Sequence, residues 1–205
     1  MPDKQPIFIT GIGTGVGKTI ISAIVTEKLK ADYWKPIQSG DLDNSDTLKV
    51  RDLVSNKTTR FYPEAYRLTQ PFSPHKSAAI DNVVIDIQTI IPPKTDNQLI
   101  IEGAGGLMVP LNDNALIIDL IKQLNAQVIL VSQNYLGSIN HTLLSLSMLK
   151  QYEIPVRGIV FNGDKDIYSK TFILNYSGVK ELGHIPALDT INSKKIRGAG
   201  SYITL

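Results

Sequence analysis

One stretch decides the fold of this chain: Gly11-Ile12-Gly13-Thr14-Gly15-Val16-Gly17-Lys18-Thr19. It follows a short apolar run at residues 7–10, and apolar residues then recur at helical spacing up to about Lys30. A strand, a glycine-rich loop ending in Gly-Lys-Thr and a helix are together typical of a phosphate-binding loop. The consensus has glycine at position 12, where this chain has isoleucine between two glycines. The pattern favours a phosphate site over a plain glycine-rich turn.

The residue types of this loop suit a nucleotide and a metal ion. Glycines free the backbone N–H groups to point at phosphate oxygens, and the N-terminus of the following helix adds a partial positive charge. Lys18 can bring a full positive charge to the β- and γ-phosphates, and the Thr19 hydroxyl can ligate Mg²⁺.

Predicted strands and helices alternate along the rest of the chain. Further strands are predicted at 33–37, 98–102, 127–132, 156–161 and 182–185, and further helices at 47–54, 115–124, 138–151 and 168–176. Continuous apolar strands between helices are typical of a parallel sheet covered on both faces. We therefore expect a doubly wound, mostly parallel α/β fold, with a single domain over residues 1–205. Residues 56–80 resist assignment because three prolines break them into short pieces.

Composition excludes several classes of protein. The chain has 205 residues, of which 42% are hydrophobic and 20% charged, as in ordinary globular proteins. It has no cysteine, which excludes disulfides, thiolate metal sites and a cysteine nucleophile. A net charge of +2 gives no reason to expect nucleic acid or an anionic membrane as a partner. Residues 1–6 lack the apolar run of a signal peptide, and no run approaches the roughly 18–20 residues of a membrane span, so we expect a cytoplasmic protein.

Charged residues near the ends of the predicted strands are candidates for the site, because ligands of doubly wound folds bind at the carboxyl ends of the strands. Lys35 would be costly to bury unpaired, but it makes sense beside a triphosphate. Glu102 closes an apolar strand and precedes glycines, which is the usual place of a second metal anchor in phosphate-loop proteins. Asp46 is, by itself, more simply explained as a helix cap. With Thr19, these two carboxylates would offer the hard oxygen ligands that Mg²⁺ prefers.

Other polar residues carry weaker signals. Asn162 ends a predicted strand and could contact a purine edge, but Asn-Gly is also a common turn. The three histidines, His75, His141 and His184, lack a short metal-binding spacing, so we expect structural roles for them.

In their order along the chain, these segments resemble the dethiobiotin synthetase family, phosphate-loop enzymes of biotin synthesis. The resemblance is carried by Thr10-Gly11, Gly17-Lys18-Thr19, Lys35-Pro36-Ile37-Gln38-Ser39-Gly40, Asn44-Ser45-Asp46, Ser73-Pro74-His75 with Ala78-Ala79, Glu102-Gly103-Ala104-Gly105-Gly106, Leu136-Gly137-Ser138-Ile139-Asn140-His141, Gly158-Ile159-Val160-Phe161-Asn162 and Gly183-His184-Ile185-Pro186. It covers nearly the whole chain. It implies a phosphate-loop NTPase fold and a ligase that closes the ureido ring of dethiobiotin from 7,8-diaminononanoate and CO₂. ATP would be the co-substrate and Mg²⁺ the cofactor, and the reaction would pass through a carbamate and a carbamic–phosphoric anhydride.

The resemblance also implies roles for individual residues. Lys35 and Lys18 would be the catalytic lysines, and the metal ligands would be Thr19, Asp46 and Glu102. The nucleotide and its metal would contact Gly13, Thr14, Gly15, Val16, Gly17, Lys18, Thr19, Ile20, Asp46, Glu102, Gly103, Ala104, Gly105, Asn162, Pro186, Ala187 and Leu188. The substrate would contact Ser39 and Lys35 in one subunit of a homodimer, and its carboxylate would contact Gly137, Ser138, Ile139 and Asn140 of the other.

Two other classes remain as alternatives. Related amidoligases share the loop and the Glu-Gly-Ala-Gly-Gly strand end, but they usually carry a glutaminase domain with a cysteine nucleophile. ATPase switches of the partitioning type usually place an extra lysine early in the loop, whereas positions 12–16 of this chain have none. The loop also departs from the dethiobiotin synthetase pattern at Ile12 and Gly13, where that family often has threonine and aspartate.

Overall fold

A parallel β-sheet forms the centre of the part of the chain that the structure describes. This structure, a computed structural model, describes residues 5–205, so the first four residues of the N-terminal stretch considered above lie outside it. Its strands are β1 (Ile7–Gly11), β2 (Asp32–Trp34), β3 (Ile37–Ser39), β4 (Phe61–Tyr62), β5 (Tyr66–Leu68), β6 (Leu99–Glu102), β7 (Gln127–Gln133), β8 (Val156–Asn162) and β9 (Glu181–Ile185). Its α-helices are α1 (Lys18–Leu29), α2 (Asp46–Leu53), α3 (Pro74–Ile80), α4 (Ile117–Gln123), α5 (Ser138–Gln151), α6 (Ile167–Ser177) and α7 (Ser193–Ala199).

The strand order confirms the doubly wound fold. Within residues 5–205, seven strands pair in the order β4-β2-β6-β1-β7-β8-β9, and every pairing is parallel. The chain places β2, β4 and β6 on one side of β1 and then crosses over to place β7, β8 and β9 on the other side, so the direction of winding reverses at β1. This reversal opens a crevice at the carboxyl edge of the sheet, where such folds bind ligands. The strands β3 and β5 form a separate two-stranded parallel sheet.

Both faces of the sheet are covered by helices, as continuous apolar strands require. The residues of β1 are fully buried, and they alternate between the two sides. Ile7 and Ile9 pack in the apolar cluster that includes α1 and α7 residues, whereas Phe8 packs in the cluster that includes α4 and α5 residues. The loop that follows β1 therefore emerges from the buried centre of the sheet.

The prediction of one continuous strand at 33–37 was wrong. The structure ends β2 at Trp34 and begins β3 at Ile37, in the other sheet. Pro36 causes the break: it has no N–H for a sheet hydrogen bond, and its carbonyl accepts bonds from the N–H groups of Ala65 and Tyr66 instead. Lys35 is thereby left at the carboxyl edge of the main sheet.

Other elements differ from the predictions in extent or were not predicted. The stretch at 56–80, for which no elements were predicted, contains β4, β5 and the whole of α3. Pro74 is the first residue of this helix. Helix α7 lies in a segment for which no element was predicted. Helix α4 begins at Ile117 rather than 115, because Leu116 is held extended in a bridge to Pro110 and its N–H donates to Asp119. Among residues 5–205, the helices are all too short or too polar to cross a membrane.

A buried carboxylate fastens one side of the sheet. Asp32, at the start of β2, is 1% exposed. It accepts hydrogen bonds from the Arg60 N–H at 2.9 Å, the Thr95 hydroxyl at 2.7 Å, the Tyr62 hydroxyl at 3.1 Å and the Asn97 amide at 3.3 Å. Burial alone would raise the pKa of Asp32, but these donors outweigh it and hold the pKa below its ordinary value.

We expect Asp32→Asn to lower the free energy of unfolding at pH 7 by about 1–3 kcal/mol, because a neutral amide replaces a charged acceptor. The lowered pKa stabilises the fold above the unfolded-state pKa of about 3.9, and this contribution is lost as the pH falls through the folded-state value. The difference in unfolding free energy between the wild type and Asp32→Asn should therefore become smaller toward pH 3. Urea unfolding between pH 7 and pH 3 measures it, with the exposed Asp113→Asn as the control. A deficit that does not change with pH would contradict this account.

Candidate active site

The predicted phosphate loop occupies the turn between β1 and α1. Gly17 precedes the helix with φ 92°, in the left-handed region that favours glycine. A side chain there would also collide with Asn162, whose amide nitrogen lies 2.1 Å from the position of a Cβ. Gly17 has no side chain that could cap the N-terminus of α1. The first N–H groups of α1 therefore remain available to an anion.

A cavity of about 590 Å³ lies over this loop. Among the predicted site residues it is lined by Thr14, Gly15, Gly17, Lys18, Thr19, Lys35, Ser39, Asp46, Glu102, Gly103, Ala104 and Gly105. The cavity is also lined by Ile37, Gln38, the segment 71–74 and Val109. The fold thus brings most of the predicted residues to one cavity at the carboxyl edge of the sheet.

A buried group of charges forms the floor of this cavity. The ammonium of Lys35 lies 2.8 Å from Asp46 Oδ2 and 3.3 Å from Glu102 Oε1. Lys35 is 3% exposed and Glu102 is 1% exposed. Burial alone would lower the pKa of Lys35, but the charges of Glu102 and Asp46 outweigh it and raise the pKa above its ordinary value. Lys35 therefore carries a positive charge at neutral pH in the ligand-free protein.

The oxygen atoms on the floor of this cavity are suitable ligands for a divalent cation. Thr19 Oγ1 lies 2.8 Å from Glu102 Oε1 and donates to it, so the hydroxyl and the carboxylate are already adjacent. Burial would raise the pKa of Asp46, but Lys35 holds it below its ordinary value and keeps this carboxylate ionised. Two carboxylates and a hydroxyl are hard oxygen ligands of the kind that Mg²⁺ takes beside nucleotide phosphates.

The second predicted lysine lies within the loop. Lys18 Nζ donates to the Gly13 carbonyl at 2.8 Å, and the side chain is largely buried. Burial lowers the pKa of Lys18 to about 8, only partly offset by the charge of Glu102. An anionic ligand in the loop would favour the charged form.

Two residues of this site were missed by the sequence analysis. The Tyr33 hydroxyl donates to Glu102 Oε2 at 2.9 Å. Gln38 accepts from the Asp46 N–H at 3.2 Å and donates to the Gly40 carbonyl at 2.9 Å, so it holds the start of α2. Alternation along the predicted strand at 33–37 places Tyr33 on the same side as Lys35. This alternation was the sequence signal that could have pointed to Tyr33, but it does not indicate that Glu102 is its partner.

Several predicted residues lie outside the cavity. Asn162, at the end of β8 and two strands away from β1, donates to the Val16 carbonyl at 3.0 Å and so supports the phosphate loop. Val16 packs in the apolar cluster below the loop, and Ile20 and Leu188 pack against that cluster. The segment 186–188 follows β9 and does not line the 590 Å³ cavity.

The predicted carboxylate-binding segment 137–140 also lies apart from this cavity. It forms the start of α5, where Gly137 has φ 104° and has no side chain that could cap the helix. Leu136, immediately before it, is fully exposed. Nearby, His141 Nδ1 pairs with the Tyr135 hydroxyl at 2.8 Å, and His184 Nε2 pairs with the Gly163 carbonyl at 2.8 Å.

We expect Lys35→Met to lower the free energy of unfolding of the ligand-free protein by about 3–5 kcal/mol at pH 7.5, because it leaves Asp46 and Glu102 facing each other without a buried cation. Lys49→Met is the matched control. Lys49 also approaches Asp46, at 3.8 Å, but it is exposed and pairs chiefly with Asp41, so its loss should cost less than about 1 kcal/mol. Urea unfolding compares the two variants, and equal losses would contradict the buried charge cluster as a stabilising element.

Comparison with known proteins places the chain in a family. A family model described as an AAA domain matches residues 5–195. The chain is 56% identical over 178 residues to the ATP-dependent dethiobiotin synthetase BioD of Christiangramia forsetii, covering 87% of this chain and 86% of that protein. It is 48% identical to the protein of the same name from Cytophaga hutchinsonii, covering 92% of each chain.

Solved structures with the same fold belong to other proteins. The cell division ATPase MinD of Pyrococcus furiosus superposes with a TM-score of 0.60 at 13% identity, covering 97% of this chain and 98% of that one. A ParA family ATPase from Chlorobium tepidum superposes with a TM-score of 0.56 at 14% identity, covering 98% and 99%. At these identities the likeness concerns the fold alone. The sequence matches are far closer, and they identify this chain as a member of the ATP-dependent dethiobiotin synthetase family.

Proposed function

We propose that this chain closes the ureido ring of dethiobiotin from 7,8-diaminononanoate and CO₂, with ATP and Mg²⁺, within one catalytic domain over residues 1–205. One observation carries the proposal. A buried ammonium, that of Lys35, lies between two carboxylates beside an open phosphate loop, in a single cavity of about 590 Å³. A reaction that develops negative charge next to a γ-phosphate needs a positioned cation of this kind.

The proposed reaction has three steps. One substrate amine attacks CO₂ and gives a carbamate with loss of a proton. A carbamate oxygen then attacks the γ-phosphorus, ADP leaves, and a carbamic–phosphoric anhydride forms. The second amine attacks the carbonyl carbon of that anhydride and loses a proton, phosphate leaves, and the cyclic urea is complete. Each step adds or moves negative charge, so electrostatic stabilisation is the main task of the protein.

The residues on the floor of the cavity divide this task. Lys18 would exchange the Gly13 carbonyl for the β- and γ-phosphates, and N–H groups of the loop would also donate to these phosphates. Thr19, Asp46 and Glu102 would hold Mg²⁺, which would neutralise charge on the phosphate oxygens. Lys35 would stabilise the carbamate and the transferred phosphoryl group. On the other side of the loop, Asn162 and the segment 186–188 would form the adenine pocket.

The remaining walls suit an aliphatic diamine. Ser39 Oγ is buried and has no hydrogen-bond partner among residues 5–205, so it is free to bind a substrate amine or carbamate. Ile37, Pro71, Phe72 and Val109 line the same cavity and offer apolar contacts to a hydrocarbon chain. A cavity that combines polar groups with apolar walls matches the amines and the hydrocarbon chain of this substrate.

We further propose a homodimer in which each active site receives the start of α5 from the partner subunit. The uncapped N-terminus at 137–140 can bind a carboxylate, but it does not line the cavity of its own subunit. Leu136 beside it is fully exposed, and Leu144 on α5 is 56% exposed. A second copy would cover these apolar side chains. Neither nucleic acid nor a membrane belongs to the proposal, and the protein would act in the cytoplasm.

An ATPase switch of the partitioning type is the alternative that the sequence left open, although MinD and ParA share only the fold with this chain. The two candidates differ in what should stimulate ATP hydrolysis. A ligase couples hydrolysis to its small substrates, whereas a switch responds to a protein or DNA partner.

We expect phosphate release from ATP and Mg²⁺ to require both 7,8-diaminononanoate and bicarbonate, because the anhydride forms only after the carbamate. A continuous phosphate assay with each component left out in turn measures this, and mass spectrometry identifies the product. Phosphate release that depends on neither the diamine nor bicarbonate would contradict the ligase proposal and favour a switch.

We expect Lys35→Met to lower kcat by at least about 100-fold, the usual effect of removing one electrostatic contact to a developing anion. ADP affinity without metal should stay within about threefold of wild type, since the loop and Lys18 are intact. Steady-state kinetics and calorimetric ADP titration measure the two quantities, and Lys49→Met serves again as the control. Near-normal turnover in Lys35→Met would remove Lys35 from the mechanism.

A further inference from the structure

Tyr33 is a buried phenol with no part in the reaction proposed above. It is 0% exposed, and its hydroxyl donates to Glu102 Oε2 at 2.9 Å. We propose that Tyr33 is a positioning residue, which holds one oxygen of Glu102 so that the other faces Thr19, Lys35 and the bound cation. This inference rests on the proposed function, because it takes Glu102 to be a metal ligand.

The sheet register places Tyr33 where it can do this. Tyr33 pairs with Ile100 across the parallel strands β2 and β6. Side chains two apart on a strand share a face, so Glu102 lies on the same face as Ile100, one step nearer the carboxyl edge. The long tyrosine side chain spans that step. A shorter residue at position 33 would leave Glu102 Oε2 without this donor.

The Tyr33 ring is itself fixed from the side. The ring of Phe61 on the neighbouring strand β4 lies 5.9 Å away, centroid to centroid, at a tilt of 50°. The guanidinium of Arg51 on α2 lies over Phe61, 5.4 Å from its centroid. A ring held in this way aims its hydroxyl in one direction, with little conformational freedom left to lose.

The two oxygens of Glu102 have separate partners. Oε1 accepts from Thr19 at 2.8 Å and from Lys35 at 3.3 Å, whereas Oε2 accepts from Tyr33. Without the phenol hydroxyl, Oε2 would be buried and unpaired, and the carboxylate would rotate to share the donors on the Oε1 side. A carboxylate turned in that way would meet a metal ion in the wrong orientation. Groups that orient metal ligands affect metal affinity for this reason.

The test is Mn²⁺ binding to the protein–ADP complex, measured by electron paramagnetic resonance of the free ion. We expect Tyr33→Phe to weaken Mn²⁺ binding by about 10-fold, the lower end for loss of a group that orients a metal ligand. ADP binding in the presence of a chelator should stay within about twofold of wild type. Mn²⁺ affinity equal to or tighter than wild type in Tyr33→Phe would overturn the proposal.

Tyr62→Phe is the matched control. Its hydroxyl also donates to a buried carboxylate, Asp32 Oδ2 at 3.1 Å, but that carboxylate lies outside the cavity. Both variants lose a buried hydrogen bond and should lower the unfolding free energy. Only Tyr33→Phe should weaken Mn²⁺ binding, whereas an equal weakening in both variants would show a general loss of stability and overturn the proposal.

Glu102→Gln separates failure of this inference from failure of the proposed function. If Glu102 is a ligand, Glu102→Gln weakens Mn²⁺ binding, and adding Tyr33→Phe to it should cause little further change. Unchanged Mn²⁺ affinity in Glu102→Gln would refute the ligand assignment itself. Full additivity of the two substitutions would refute only the action of Tyr33 through Glu102.

A second variant covers the case in which Tyr33→Phe does not fold. Phe61→Leu keeps the Tyr33 hydroxyl but removes the ring that fixes its direction. It should weaken Mn²⁺ binding to a degree between wild type and Glu102→Gln. Wild-type affinity in a folded Phe61→Leu would count against the proposal.

Discussion

The buried ammonium of Lys35 is the constraint on which the rest of this site depends. A charge taken out of water costs several kcal/mol unless partners surround it, and Lys35 is 3% exposed between Asp46 and Glu102. Its two partners come from different elements, the start of α2 and the end of β6. The chain must therefore place the end of β2, α2 and β6 together before the lysine is tolerated, and placing them together also builds the metal-binding floor of the cavity.

The scaffold around this cluster is shared with proteins of other functions. MinD and ParA ATPases have the same fold at 13–14% identity, while proteins named ATP-dependent dethiobiotin synthetase are 41–56% identical to this chain. A doubly wound sheet supplies the phosphate loop and the crevice at its carboxyl edge. What separates the functions is the set of side chains that the strand ends bring into that crevice.

The sequence predicted the parts of the fold that depend on local spacing. The alternation of apolar strands and helices gave the doubly wound class, and the helix at 138–151 matches α5 at both ends. It failed at 33–37, where Pro36 diverts the chain into a second sheet, and at 56–80, where the elements are only two to seven residues long. Elements this short lack the repeated period on which such predictions rely, and tertiary hydrogen bonds decide where they form.

Local residue patterns were enough to predict the phosphate loop, the two lysines, the candidate metal ligands and the family to which the chain belongs, because each depends on adjacent residues or on the order of motifs. Three contacts could be seen only in the folded chain: Lys35 lies between Asp46 and Glu102, Asn162 donates to the Val16 carbonyl, and Tyr33 donates to Glu102 across 69 residues of chain. These contacts follow from the order of the strands in the sheet, which no local pattern specifies. Hydrophobic periodicity states which face of a strand is buried, but not which strand lies beside it.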